Sequence, residues 1–237
     1  MKVGDLVALP TAVFGVPAED SSPLAQQLHE LLGAGRAVDD LRRYFGIGLP
    51  PGYVAFTGSR FEHLAGGGDL PQVADRVTAE DLVAVQTLSV TVPAPVALDI
   101  LEGPLGTKLS GLLRDIPGDI DLVDAGTEAV AAGSPADEAW HLLTEQPKVG
   151  WVIAGKILAR KRPRLIPVYD RLVRCAIGQP PSFWLALHAA LREDNGALHR
   201  RLLALRQTAG LPRTVSALRV CDVVVWMNHR DMGHACP

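Results

Sequence analysis

Two tetrapeptides set the fold class before composition is needed: Thr78-Ala79-Glu80-Asp81 and Ser134-Pro135-Ala136-Asp137. Each places a hydroxyl at a helix N-cap and a carboxylate three residues on, where side chains can satisfy otherwise orphaned backbone N–H groups. Proline after Ser134 suits the first helical position, since its φ is already fixed there. Apolar residues then recur at helical spacing: Leu82, Val85 and Leu88 after the first signal, Ala136, Trp140 and Leu143 after the second. Other helices are predicted from Ser22-Pro23 to Gly33, over 39–45, from Val96 onward beyond Pro93 and Pro95, and from Gly150 through Lys161, where Pro163 ends it. The last third predicts helices at 183–192, at 196–209 (Asn195 as cap, Gly210 as stop) and at 214–228. Aromatic residues are 5% of the chain within a hydrophobic total of 48%. Aliphatic seams between helices are therefore expected, not a β-sandwich, and the class is mainly α.

The first 70 residues are punctuated differently. Gly46 to Gly52, with Pro50 and Pro51, reads as a loop. Tyr53-Val54-Ala55-Phe56 is a candidate short strand closed by Thr57-Gly58, and Leu88 to Val92 alternates well enough to be a strand as well as a helix end. Gly66-Gly67-Gly68 has no GK[ST] after it and reads as a linker. The expected organisation is a poorly defined, irregular or β-containing region over 1–70 and a helical domain over 71–237. Cys175, Cys221 and Cys236 form no CxxC and no even framework, which suits a reducing compartment. With no leader-like start and no long uncharged apolar run, a cytoplasmic protein without a membrane partner is expected.

The net charge of −3 conceals an uneven distribution. Residues 1–147 carry 8 Lys/Arg against 21 Asp/Glu, whereas 148–174 carry 8 against 1. A local basic run attracts a polyanion whatever the rest of the chain carries. The same run begins in a tight turn (Gln146-Pro147-Lys148-Val149-Gly150) after one helix and continues through a second. Such a turn presents backbone N–H groups and a positive helix end to phosphate. Lys148, Val149 and Gly150 in the turn, with Lys156, Arg160, Lys161, Arg162 and Arg164 beyond it, are the expected nucleic-acid contacts. Ile153, Ile157 and Leu158 are expected to face the core, and Ala154-Gly155 leave room for close backbone approach.

Pro147-Lys148-Val149-Gly150-Trp151-Val152-Ile153-Ala154, continued to Pro167-Val168-Tyr169-Asp170, resembles the helix-hairpin-helix DNA glycosylases. In that family the hairpin reads roughly L-P-G-V-G-x-K-T-A, and a V-D motif carries the catalytic aspartate. Gly150 and Asp170 keep the family's spacing. The resemblance implies a glycosylase-like helical fold, DNA as partner and Asp170 as catalytic residue. Lys148 stands where the family has its first hairpin glycine. Val152 stands where bifunctional members have a Schiff-base lysine, so a monofunctional N-glycosylase acting on a flipped or damaged base is implied. The four-cysteine iron–sulfur loop of some members is absent. The remaining chain, with its FTGSRFE stretch over Phe56 to Glu62, looks more like an actinobacterial family of unknown function.

Asp170 carries two readings. It is the lone acid between Lys148 and Arg192, and a carboxylate there can stabilise an oxocarbenium-like sugar and orient water. It is equally a preferred N-cap for a helix opening at Arg171. Trp151 and Tyr169 are candidates for stacking on an extruded base, or core aromatics beside the hairpin. Gln86 and Val90 lie near the family's intercalating position. His229, His234 and Cys236 are of ligand type, but their spacing without a fourth ligand predicts no metal site, and no cofactor is expected. Two alternatives remain beside the glycosylase: a non-catalytic nucleic-acid-binding module, and a protein-interaction or homodimeric protein whose basic run meets an acidic surface.

Overall fold

A computed structural model describes residues 22–33, 35–231 and 236. Its helices, in chain order, are α1 (Pro23–Gly33), α2 (Ala37–Phe45), α3 (Ala79–Gln86), α4 (Ala94–Glu102), α5 (Pro104–Asp115), α6 (Pro135–Thr144), α7 (Trp151–Lys161), α8 (Arg171–Ile177), α9 (Phe183–Ala209) and α10 (Ala217–Asp231). The predicted caps form. Thr78 Oγ1 accepts from Asp81 N at 3.3 Å while Asp81 Oδ2 accepts from Thr78 N at 3.0 Å. Ser134 Oγ accepts from Asp137 N at 3.1 Å. The chain is mainly helical, and no strand occurs among the described residues.

The two strand expectations are corrected accordingly. Over 53–56 no regular element forms; Phe56 is extended, and the segment's one bond to a neighbouring element is Phe56 N to Tyr44 O at 3.1 Å. A strand needs a partner ladder, and a helix end offers none. At Leu88 and Ser89 the amides bond back to Val85 O and Gln86 O as a turn, with Ser89 at φ +62. Asn195 is not an extended N-cap: α9 breaks at 193–196, where Asp194, Asn195 and Gly196 take left-handed backbone. α5 was not foreseen, although Pro104 at its first turn and Leu105, Leu109 and Leu113 on its buried face are ordinary helix signals.

Gly66-Gly67-Gly68 is not a linker. Gly67 and Gly68 are buried, and a Cβ on Gly68 would stand 2.5 Å from Arg160 O. Glycine lets this loop lie directly on α7. Gly155, by contrast, has no atom within 4 Å of the corresponding point.

Two neighbourhoods share the core. In one, α1 and α2 pack on α9 and α10, with α8 against α10. In the other, α3 and α6 flank α7, and α5 bridges α4 and α6. Residues 22–45 are thus built into the C-terminal helices, and the turn between α6 and α7 is a helical hairpin. A cavity opens where the two neighbourhoods meet.

Candidate functional site

The hairpin turn is tight and partly strained. Val149 N donates to Gln146 O at 3.0 Å, and Lys148 sits at φ +62, a conformation that glycine adopts without penalty. Gly150 is the N-cap of α7 and nothing lies within 4 Å of where its Cβ would be, so the end of α7 is open. Lys148 and Gly150 are exposed, while Val149 is buried in the core.

The basic run behind the turn does not face outward. Lys156, Arg160, Lys161 and Arg162 are 3%, 2%, 0% and 2% exposed. Arg160 donates to Asp81 Oδ1 (2.8 Å) and to the carbonyls of Phe61 and Leu64 at 2.5 and 2.7 Å. Lys161 donates to Asp81 Oδ2 and Val73 O, both at 2.8 Å. Arg162 donates to Asp75, to the carbonyls of Ala74 and Ile116, and closely to Leu113 O. The expectation that these side chains meet phosphate is corrected: their donors are satisfied by Asp75, Asp81 and Asp170 of the same chain and by backbone carbonyls. Burial lowers the Lys161 ammonium against the opposing pull of Asp81. Arg164 is exposed but forked onto Asp121 at 2.9 and 3.0 Å.

Asp170 lies on the wall of a cavity of about 470 Å³, within the usual size of small-molecule sites, about 300–1,000 Å³. Its Oδ1 accepts from Leu172 N at 3.0 Å and Val173 N at 3.1 Å, capping α8. Its Oδ2 accepts from Lys156 Nζ at 3.2 Å, and the same ammonium donates to Leu88 O at 2.9 Å. Lys156 comes from α7 one turn beyond Val152, which also lines the cavity, as does Val90.

The cavity also has an aromatic wall that the sequence did not single out. Tyr44 and Phe56 stack at 5.3 Å with planes 3° apart, and Trp226 meets both edge-on. All three line the cavity. Behind them Arg219 donates to Tyr44 Oη at 2.6 Å, to Gly58 O at 2.9 Å and to Asp222. Gly58 is required here, because a Cβ would fall 2.0 Å from Tyr44 Oη. Burial raises Tyr44, and it lifts the Asp222 carboxyl to about 6 although Arg219 opposes the rise. Burial alone would lower Arg219, but Tyr44, Asp222 and Glu62 together hold it above its ordinary value. Trp151 and Tyr169, the sequence's stacking candidates, instead pack 5.4 Å apart, with Tyr169 stacked on Phe183 at 4.1 Å. Neither lines the cavity. Phe56, Thr57 and Gly58 belong to the FTGSRFE stretch, which the sequence marks only by its likeness to a family of unknown function.

Exposed cations lie at the cavity and at the hairpin. Arg171 lines it, and Arg230 lies over Phe56 and Trp226 at 4.7 and 5.3 Å. Arg174, one turn along α8 from Arg171, lies 5.7 Å over Trp151 at the start of α7, beside Lys148. Among the described residues none of these four enters an ion pair.

These features define an all-α protein with a helical hairpin and a mixed aromatic and ionic cavity; no described helix is long and apolar enough to cross a membrane. A family model matches residues 37–229, and the chain belongs to that family, a family of unknown function designated DUF6308. The match takes in α2 and the FTGSRFE stretch together with the helices beyond residue 70. No curated protein and no solved structure matches the chain.

Proposed function

We propose that the chain is a DNA-binding helix-hairpin-helix protein that receives an extruded base in the cavity and cleaves its N-glycosidic bond without a Schiff-base intermediate. One observation carries the reading: Asp170, fixed by two backbone N–H groups, lines the same cavity of about 470 Å³ as the rings of Tyr44, Phe56 and Trp226. Rings in that setting favour a planar heterocycle, and an extruded base is such a group. The phosphate contacts move from the buried run to the hairpin turn at 147–150 and to Arg171, Arg174 and Arg230. As the bond breaks, its electron pair leaves with the base and positive charge develops on the sugar, which the Asp170 carboxylate opposes. Water adds to the anomeric carbon and gives up a proton to Asp170, while the Lys156 ammonium is placed to protonate the departing base.

A second reading is favoured by the Lys156 contact. An ammonium 3.2 Å from Asp170 offsets the charge a developing cation would feel, which suits a module that holds a base without cleaving it. Fluorescence anisotropy on an intact duplex and one with an abasic-site analogue, across a salt series, tests both. Tighter binding of the abasic duplex, with product released from a lesion panel and lost in Asp170→Asn, is the expected result. Preference for the abasic duplex with no product leaves the non-catalytic module. Absence of binding at low salt defeats the DNA reading altogether.

A further inference from the structure

Cys175 on α8, His229 on α10 and Cys236 beyond the end of α10 converge at one point. Their two sulfurs and the imidazole nitrogen all lie within 4.8 Å of one another. His229 Nε2 is 3.1 Å from Cys236 Sγ, and the imidazole is buried, 8% exposed. We propose that Cys175, His229 and Cys236 form a three-ligand site for a zinc-type divalent cation. Nothing in this rests on the DNA reading.

Zinc–sulfur and zinc–nitrogen bonds in a tetrahedral site place ligand atoms about 3.5–3.8 Å apart. The three groups therefore need to close by no more than about 1 Å at their widest pair. Thiolate and imidazole are the donors that zinc and cobalt select, and three of them leave a fourth position for water or an exogenous ligand. A disulfide between Cys175 and Cys236 would use the two sulfurs and give the imidazole no part. A cation binds the sulfurs as thiolates and releases their protons, so affinity falls as pH falls.

The sequence could not show this site. His229 and Cys236 alone have no regular spacing, His234 lies outside the described residues, and Cys175 belongs to another helix. Its consequence is mechanical. The cation fastens the chain after α10 to α8, the helix whose N-cap is Asp170.

Titration of the reduced, metal-free full-length chain with cobalt(II) tests the proposal. A thiolate-to-cobalt charge-transfer band is expected to saturate at a single equivalent and to be displaced by zinc. Cys175→Ser and Cys236→Ser should each weaken binding by at least about tenfold, while Cys221→Ala, in the core away from the cluster, keeps it. Zinc should raise the Tm of the parent protein but not of Cys236→Ser, a variant of a half-buried residue outside the core. No charge-transfer band, a band unchanged in both serine variants, or a Cys175–Cys236 disulfide in freshly purified protein would each overturn it.

Discussion

Lys156 to Arg162 and the exposed rim of the hairpin, α8 and α10 (Lys148, Arg171, Arg174 and Arg230) carry the same kinds of side chain. In the first region each cation is enclosed and meets carboxylates or carbonyls of its own chain. In the second each is exposed and has no carboxylate partner among the described residues. Charge density along the sequence cannot separate the two cases. What separates them is whether the acidic half of the chain folds back onto the segment. Asp81 makes the difference most clearly, since a single capping-box residue also closes α3 and pairs with both Arg160 and Lys161.

The largest way to break the contrast is therefore Asp81→Ala. It would leave two buried cations without their carboxylate and remove half of a capping box. Loss of one partner of a buried pair costs about 3–5 kcal/mol, and urea unfolding should show a loss of that order. If the midpoint hardly moves, the buried run is not an internal network. Arg160 and Lys161 would then have to be free to turn toward solvent, and the phosphate reading of that segment would return.

A second buried acid gives a pH test. Burial pushes Glu62 up from an ordinary 4.5 to about 8, with Arg219 opposing; one of its oxygens accepts from Ser216 Oγ and the other has no hydrogen-bond partner among the described residues. The folded chain therefore holds this proton more tightly than the unfolded chain. The contribution to stability is complete below about pH 4.5 and is lost as pH rises toward 8. Asp222, raised to about 6, has the same sign but is exhausted sooner. His63 and His199, both lowered chiefly by burial, act in the opposite direction below their ordinary 6.5. Between pH 6.5 and 8, stability should fall at no more than about 1.4 kcal/mol per pH unit. Glu62→Gln should flatten that decline; an unchanged slope in the variant would show that Glu62 does not hold the proton.

Much of the helical fold was legible because caps are local. Thr78, Ser134 and Asp170 announce their helices within four residues, and the structure forms all three caps. The cavity was only half legible, for the opposite reason. Asp170 stood out as a lone acid in a basic segment, but its aromatic wall joins α2, the 56–58 turn and α10, three segments far apart in the chain. Trp151 and Tyr169 were nearer in sequence and so looked better placed, yet they pack on each other and on Phe183. The short strand expected at 53–56 fails on the same ground: its residues favour extension, but no partner strand reaches them among the described residues.

The rim offers a smaller, sharper test. Each exposed cation that meets phosphate should contribute about 0.9 to the slope of log binding constant against log salt. Lys148→Ala, Arg171→Ala and Arg174→Ala should each lower the slope by about that amount and leave stability within about 0.5 kcal/mol. A slope unchanged in all three variants would remove the rim from any DNA interface.

Arg164→Ala should do least, and for that reason defines the boundary between the two regions. Arg164 is exposed like the rim, yet it is forked onto Asp121, whose carboxyl is held below its ordinary range by the bond from Arg164. An exposed pair of this kind is worth about 0–1 kcal/mol, so unfolding should shift slightly. DNA binding should not move, because releasing Asp121 to reach phosphate exchanges one anion for another. If Arg164→Ala lowers the salt slope as much as Arg174→Ala does, exposure alone determines which cations engage the polyanion. If it does not, pairing within the chain is the deciding property, for this arginine as for the buried run behind it.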